Sequence, residues 1–585
     1  MADPKRRVFI LGWDGATFEL IKPWVAQGHL PTIARLLQTG SHGALASTQP
    51  PMTFPAWSSF MTGKNPGKHG IFDFTRRRAG TYDLEFVNGG KRRAATFWQL
   101  LSDAGLDVVS ISLPCTYPPE PVRGVMISGF DAPGGGPGSH VDASGMYPPE
   151  LYSELERSVG HHPIGASVIK DINEGRATQA LAEVERTIRQ KAATAKYLLR
   201  NRPWDCFMIL FGESDMLGHQ LWKYADAESP LFTPEPAGFR DGLLRVYQEL
   251  DRQAADLLAL LPDDTTVLVM SDHGFGGVSD WVIYPNCWLA ERGYLRFRPA
   301  FRRWLSRTLD RAKVWGLSNF PAGVRRLIYQ LGGKRLGQFE ADVRFGMLDW
   351  EGTQAYFEEN PYYPFLWINL KGRQPGGTVA PGPEYEEVRT RLIRDLESWK
   401  HPESGEPIVE KAWRREEIYN GPSLDDAPDV VVKWALHRGY TYAFKLSAKS
   451  ADLGWTERLD PKKPENLQYY TSKSGSHRDL GIFLADGPGI RAGVTITDAR
   501  IIDLAPTVLS LFGLEAPTDM DGRVLSEVLK TPEAANAAAR ECAKAPATTA
   551  ANLDSDRTSD NPSSGYSAGE EEMIAARLKA LGYVE

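Results

Sequence analysis

The chain has 585 residues, 42% hydrophobic and 24% charged, with a formal net charge of −7. That balance excludes collagen-like, fully disordered and disulfide-scaffold classes, and no apolar run reaches the roughly 18 residues that a transmembrane helix needs. Cys115, Cys206, Cys287 and Cys542 form no CxxC pair, the N-terminus lacks the apolar core of a signal peptide, and the net charge gives nucleic acid no global attraction, so the expected setting is reducing and cytoplasmic.

In chain order, the segments 7–130 and 194–290 alternate short apolar runs with helical patterns, the signature of βαβ units. Strands are predicted at 8–11, 108–111, 207–210 and 267–270, and a helix over 178–199, where Leu181, Val184 and Ile188 share one face. The Gly/Pro-rich stretch 132–140 predicts a surface loop. Between Arg296 and Arg335, eleven Lys or Arg face one acid, Asp310. This reads as an inserted basic helix, with Phe301, Trp304, Leu305 and Leu309 as its packing stripe, and with peripheral membrane contact or a lid over an anionic substrate as the alternatives. A late strand is expected at 481–484, then a helix over 503–512. The Ala/Ser/Thr/Asp-rich stretch 531–568 reads as disordered, and Ile574, Leu578 and Leu581 mark a last helix. The fold class is α/β: a mostly parallel central sheet flanked by helices on both faces, plus an inserted cap region. The expected divisions are 1–295, first part of the core; 296–345, basic insertion or cap; 346–464, α/β insertion returning to the core; 465–530, second part of the core; 531–569, disordered linker; and 570–585, C-terminal helix.

In open α/β sheets ligands bind beyond the carboxyl ends of the strands. Asp14 follows the first strand, Asp215 and His219 follow 207–211, and Asp272 and His273 follow 267–270; His477 lies in a glycine-containing loop before the late strand. Three carboxylates and three imidazoles suit zinc, manganese or iron rather than calcium, and six donors exceed the needs of one tetrahedral ion. Two ions, most consistent with zinc, are expected. They would suit displacement at phosphorus. The remaining eight histidines lack comparable partners in the sequence, with His69 the nearest to a candidate nucleophile. That nucleophile is Thr53, predicted to be the N-cap of a helix with Pro55 in its first turn, where a bound phosphoryl group would meet free backbone N–H groups. Ser58 and Ser59 fall inside the same helix and are harder to expose.

These residues, with Thr53-Phe-Pro, Thr62-Gly, His69-Gly-Ile, Asp215-x-x-Gly-His219, Asp272-His273-Gly and Gly475-x-His477 in order, resemble the alkaline phosphatase superfamily, in its type I phosphodiesterase and nucleotide pyrophosphatase branch. The resemblance covers roughly 7–290 and 465–530, with 502–507 similar to a closing helix. The stretches 367–373 and 578–583 are similar to a bacterial group of predicted phosphohydrolases or phosphomutases. The resemblance implies an alkaline-phosphatase-like core, one ion held by Asp215, His219 and His477, and the other by Asp14, Asp272, His273 and the Thr53 oxygen. It also implies attack by Thr53 through a phosphothreonyl intermediate. Phe74 stands where the nucleotide pyrophosphatases carry an Asn against the phosphoryl oxygen, which leaves Asp73 or Arg76 to Arg78 as substitutes and weakens the case for a nucleotide. No Cys or Ser sits in the setting that sulfatases require.

The expected function is hydrolysis of small phosphate esters, diesters ahead of monoesters. The alternatives are a phosphomutase of the same superfamily and a non-catalytic, metal-bound protein that binds anionic ligands. No nucleic-acid partner is expected.

Overall fold

The computed structural model describes residues 6–134, 139–166, 168–233, 237–299, 341, 344–447, 454–463, 466, 473–530 and 565–581. Most of the basic insertion and residues 531–564 of the expected linker lie outside them.

A nine-stranded sheet runs in the order Thr495–Arg500, Ser41–Ala46, Leu480–Asp486, Thr265–Met270, Arg7–Trp13, Cys206–Phe211, Val108–Leu113, Gly124–Ser128, Met146–Tyr147. The five strands from Thr265–Met270 to Gly124–Ser128 are mutually parallel. Leu480–Asp486 runs antiparallel to both of its neighbours, as does Met146–Tyr147 to its one neighbour. Period-two alternation sends Phe9, Leu11 and Trp13 to one face and Val8 and Ile10 to the other, and both faces are buried. The first face packs under the helices Ala177–Asn201 and Gly242–Leu258, the second under Thr53–Thr62, Phe97–Asp103 and Leu504–Leu511. This is the expected mostly parallel sheet with helices on both sides. Register aligns Gly12 with Leu210 and Met270, so the chain leaves three adjacent strands at one level of one edge.

Beyond that edge the long strand Gly274–Ile283 leads into a second sheet, pairing with Tyr440–Phe444, Thr456–Arg458 and Gly475–Arg478. A third sheet joins Ala355–Glu358, Phe365–Ile368, Val430–Trp434 and Val409–Arg414, with the helix Pro383–Glu397 among the residues of its apolar cluster. No helix among the described residues is long and apolar enough to cross a membrane.

Three local expectations need correction. Thr53 is the first residue of its helix, and Met52, in extended conformation, occupies the cap without a side-chain bond. The segment around His477 is a strand, because glycines on both partners let Gly475–Arg478 lie against Gly274–Ile283. Residues 131–134 are buried rather than at the surface, because the helix Ala568–Leu581 folds back over them and Arg577 donates to the carbonyls of Phe130, Ala132 and Gly134.

Candidate active site

The aligned strand ends, the second sheet and the helix Thr53–Thr62 bring the six predicted donors and Thr53 together, and all seven are buried. Asp14 leaves the strand Arg7–Trp13. Gly15 must follow it: its φ is +64°, and a Cβ there would come within 3.1 Å of Asp215 Oδ1. Asp215 and His219 lie one turn apart on the helix Glu213–Ala225, hence on one face. That helix is tied down at three consecutive residues. Glu213 pairs with Lys191 at 2.8 Å, the Ser214 hydroxyl donates to the Asp14 carbonyl at 2.7 Å, and Asp215 faces the imidazoles.

His477 approaches from the second sheet. A Cβ on Gly475 would lie 2.2 Å from the Gly218 carbonyl, and one on Gly218 would lie 2.9 Å from the Phe275 ring. The glycines therefore permit the contact between helix and strand that brings the Nε2 atoms of His219 and His477 to 3.0 Å.

Each imidazole turns Nδ1 to a backbone carbonyl: His219 to Gly475 at 2.9 Å, His273 to Gly274 at 3.0 Å and His477 to Pro51 at 2.8 Å. A carbonyl only accepts, so Nδ1 carries the proton and Nε2 presents a lone pair. Asp215 Oδ1 lies 3.4 Å from Nε2 of His219, 3.3 Å from that of His477 and 3.9 Å from that of His273. His273 Nε2 is also 3.2 Å from Asp272 Oδ2 and 3.7 Å from Asp14 Oδ1. Asp14 and Asp272 each have one oxygen anchored, by Trp57 Nε1–H at 3.1 Å and by the Gly15 N–H at 3.2 Å. Their other oxygens, Asp14 Oδ1 and Asp272 Oδ2, are buried without a hydrogen-bond partner among the described residues.

Burial, reinforced by Asp272 and Asp215, holds the Asp14 carboxyl well above the usual range, and burial with Asp215 pushes Asp272 up to about 7. Burial acts upward on Asp215 as well, but His219 and His477, when protonated, outweigh it and hold this carboxyl well below its ordinary value. Burial, aided by His477, keeps His273 well below the usual imidazole range. Lone pairs and carboxylate oxygens converging in a dry space repel one another unless a cation lies among them. The donor set therefore fits divalent metal. Donor atoms of Asp215, His273 and His477 all lie within 4.8 Å of one another, as do those of Asp14, Asp272 and His273, so His273 stands between two groups and His219 adjoins the first.

Thr53 Oγ1 lies 3.5 Å from His273 Nε2. Its position opening the helix Thr53–Thr62 leaves the N–H groups of Thr53 and Phe54 with no helical acceptor, while Pro55 has none to leave. Ser58 and Ser59 are buried inside this helix. The Ser59 hydroxyl bonds His69 Nε2 at 2.9 Å, and burial pulls that imidazole down to about 3, so His69 belongs to the support of the helix Thr53–Thr62. Among the other histidines, His162 contacts the Ser112 hydroxyl at 2.7 Å, and His401 stacks on His437 with centroids 4.9 Å apart. Partners of this kind leave no sequence signature.

A scan of family models matches residues 8–461 to "Type I phosphodiesterase / nucleotide pyrophosphatase". The chain belongs to that family. It is accordingly a metal-dependent phosphoric ester hydrolase, as the resemblance in the sequence implied. Among solved structures it is similar to human ectonucleotide pyrophosphatase/phosphodiesterase 5, at 12% identity over 90% of this chain and 100% of that one, with a TM-score of 0.45. It is also similar to phosphonoacetate hydrolase from Sinorhizobium meliloti 1021, at 15% identity over 86% of this chain and 94% of that one, with a TM-score of 0.48. No curated protein sequence matches it.

Tyr362 and Tyr363 were not anticipated from the sequence. Tyr362 stacks on His477 with centroids 5.3 Å apart and planes at 8°, and the Tyr363 hydroxyl donates to the His477 carbonyl at 3.1 Å. Phe74 is buried against Phe54, centroids 4.5 Å apart, so no amide occupies that place. Of the expected substitutes, Arg76 pairs with Glu85 and Arg77 lies 3.5 Å over the Trp367 ring. Asp73 is buried, and burial pushes its carboxyl up to about 7 against the opposing pull of Arg344.

Proposed function

We propose that the chain hydrolyses small phosphate esters, diesters ahead of monoesters, at a site for two divalent ions with Thr53 as nucleophile. The observation that carries this reading is the Thr53 hydroxyl, 3.5 Å from His273, which itself lies between two groups of buried metal-type donors. Asp215, His219 and His477 would hold one ion and Asp14, Asp272 and His273 the other, with the Thr53 oxygen on the second. The mix of imidazole and carboxylate favours zinc, with manganese or iron as substitutes. Bound ions would lower the pKa of the threonine hydroxyl and offset charge on the phosphoryl oxygens.

The chain's own groups supply the rest. The opening turn of Thr53–Thr62 directs backbone N–H groups and the positive end of the helix at the phosphoryl group. The Thr53 Oγ1–phosphorus bond forms as the hydroxyl proton is lost and the ester oxygen departs in line, taking up a proton to leave as the alcohol; water then cleaves the Oγ1–phosphorus bond, its hydroxyl going to phosphorus and a proton returning to Oγ1. Trp57 and the Gly15 N–H hold Asp14 and Asp272 in orientation throughout.

The test is Thr53→Ala with metal content measured alongside turnover of a nitrophenyl phosphodiester. A loss of about 10³-fold or more is expected, with metal retained and with acid-stable phosphothreonine trapped only in the wild type. Full activity in the variant, or activity indifferent to chelation, would overturn the mechanism. Product analysis separates hydrolysis from mutase chemistry, since a mutase returns an isomer and little free phosphate.

A further inference from the structure

The helix Ala568–Leu581 adjoins the core at a place that leads to Thr53 through a short series of contacts. Tyr566, just before it, stacks on Tyr117 with planes 3° apart and donates its hydroxyl to the Asp131 carbonyl at 2.7 Å. The Tyr117 hydroxyl donates to Glu570 at 2.9 Å. Ile574, Ala575 and Leu578 join the apolar cluster that contains Met52, Phe54 and Phe74. Arg577 is the keystone. Its guanidinium donates to the carbonyls of Phe130 and Ala132, and at 3.2 Å to that of Gly134, which pins the loop that follows the strand Gly124–Ser128.

Phe130 is the side chain presented by that loop. Its ring lies 5.5 Å from Phe54 and 6.4 Å from Phe74 between centroids, and Phe54 lies 4.5 Å from Phe74. Phe54 is the residue after Thr53 and the second residue of the nucleophile helix. Three rings therefore bear on the turn whose N–H groups and hydroxyl would face the phosphoryl group. One of the three is held by a residue that lies more than 500 positions along the chain from Thr53. Two of the three carbonyls that Arg577 bonds flank Asp131, whose carboxyl accepts the Tyr117 N–H at 2.8 Å.

We propose that Arg577 is a positioning residue for the reaction: through Phe130 it sets the Phe54–Phe74 pair and thereby the opening turn that carries Thr53. The inference rests on Thr53 being the nucleophile. Misplacing an attacking atom by about an ångström costs on the order of 100-fold in rate, while the six carboxylate and imidazole donors stay in place.

The experiment uses the full-length, metal-loaded protein and compares Tyr566→Phe, Arg577→Lys and Arg577→Ala with wild type, all well below their melting temperatures. The readouts are kcat, KM for a nitrophenyl phosphodiester, and bound metal per chain. A graded fall in kcat is expected, slight for Tyr566→Phe, intermediate for Arg577→Lys and tenfold or more for Arg577→Ala, with KM and metal content preserved. Unchanged kcat in Arg577→Ala overturns the inference, and so does a kcat loss that merely follows loss of metal or of folded protein. An active Thr53→Ala enzyme overturns the nucleophile reading whatever Arg577→Ala does, whereas an unimpaired Arg577→Ala enzyme overturns only the present inference.

Discussion

Trp57 has a single polar hydrogen, and it is directed to Asp14 Oδ2, 3.1 Å away, from inside the helix that opens with Thr53. The bond orients one carboxylate and leaves its other oxygen facing His273. Replacing such a supporting donor typically costs 10–100-fold in metal affinity. Trp57→Phe keeps most of the ring volume and removes the donor, so competition with a chelator should show affinity falling by about that factor for one of the two proposed ions. Equal affinities in variant and wild type would mean that the indole serves packing alone. At this scale the sequence was informative wherever chemistry and position coincided. Asp14, Asp215, Asp272 and His273 each follow an apolar run, which is legible without coordinates. Trp57 and Tyr362 were not legible, because an indole inside a helix and a tyrosine in a distant insertion look like ordinary core residues until the chain folds. Thr53 was displaced by one position, since a threonine ahead of a proline matches a cap equally well.

Among elements, Glu213–Ala225 and Gly475–Arg478 meet closely in the site, with the Gly475 α-carbon so near the helix that a Cβ would lie 2.2 Å from the Gly218 carbonyl. Gly475→Ala should force the two apart, with a destabilisation of about 1–3 kcal/mol from overpacking and a selective loss of the ion assigned to Asp215, His219 and His477. Denaturant midpoints together with metal stoichiometry would show this; a variant holding two ions at unchanged stability would refute the close-packing account. The same glycines explain what was misread. Gly274–Ile283 contains three glycines in its first four residues, a composition that weakens any strand signal, and Gly475 does the same for its partner at His477, where the sequence predicts a loop. The helix Ala177–Asn201, by contrast, was recognised because its buried stripe recurs at helical spacing over six turns.

For the molecule as a whole, Asp14, Asp215, Asp272 and three imidazoles are all buried in one place, an arrangement that opposes folding when nothing neutralises it. Metal that binds only the folded chain adds RT ln(1 + [M]/Kd), about 2.7 kcal/mol at a hundredfold excess over Kd. Chelation should therefore lower the melting temperature and readdition of zinc should restore it; a melting curve indifferent to both would argue against ions at this site. The mostly parallel sheet was legible from alternating patterns, but its strand order was not, because pairing between distant segments leaves no local trace.

That order bears on how the protein is made. Leu480–Asp486 lies between Ser41–Ala46 and Thr265–Met270, so the early strand has no place in the sheet until more than four hundred further residues have been synthesised. At about 5–20 residues per second this interval is roughly twenty seconds to a minute and a half. Throughout it, Thr265–Met270 is an open edge once formed and Ser41–Ala46 lacks a neighbour, two unpaired strands of the kind that invite wrong partners. His477, the last of the proposed metal ligands, is translated three residues before Leu480–Asp486, the strand that joins Ser41–Ala46 to Thr265–Met270. A nascent chain thus has an exposed edge and no complete site, and it acquires the strand that bridges that edge and the last proposed ligand within the same few residues of elongation.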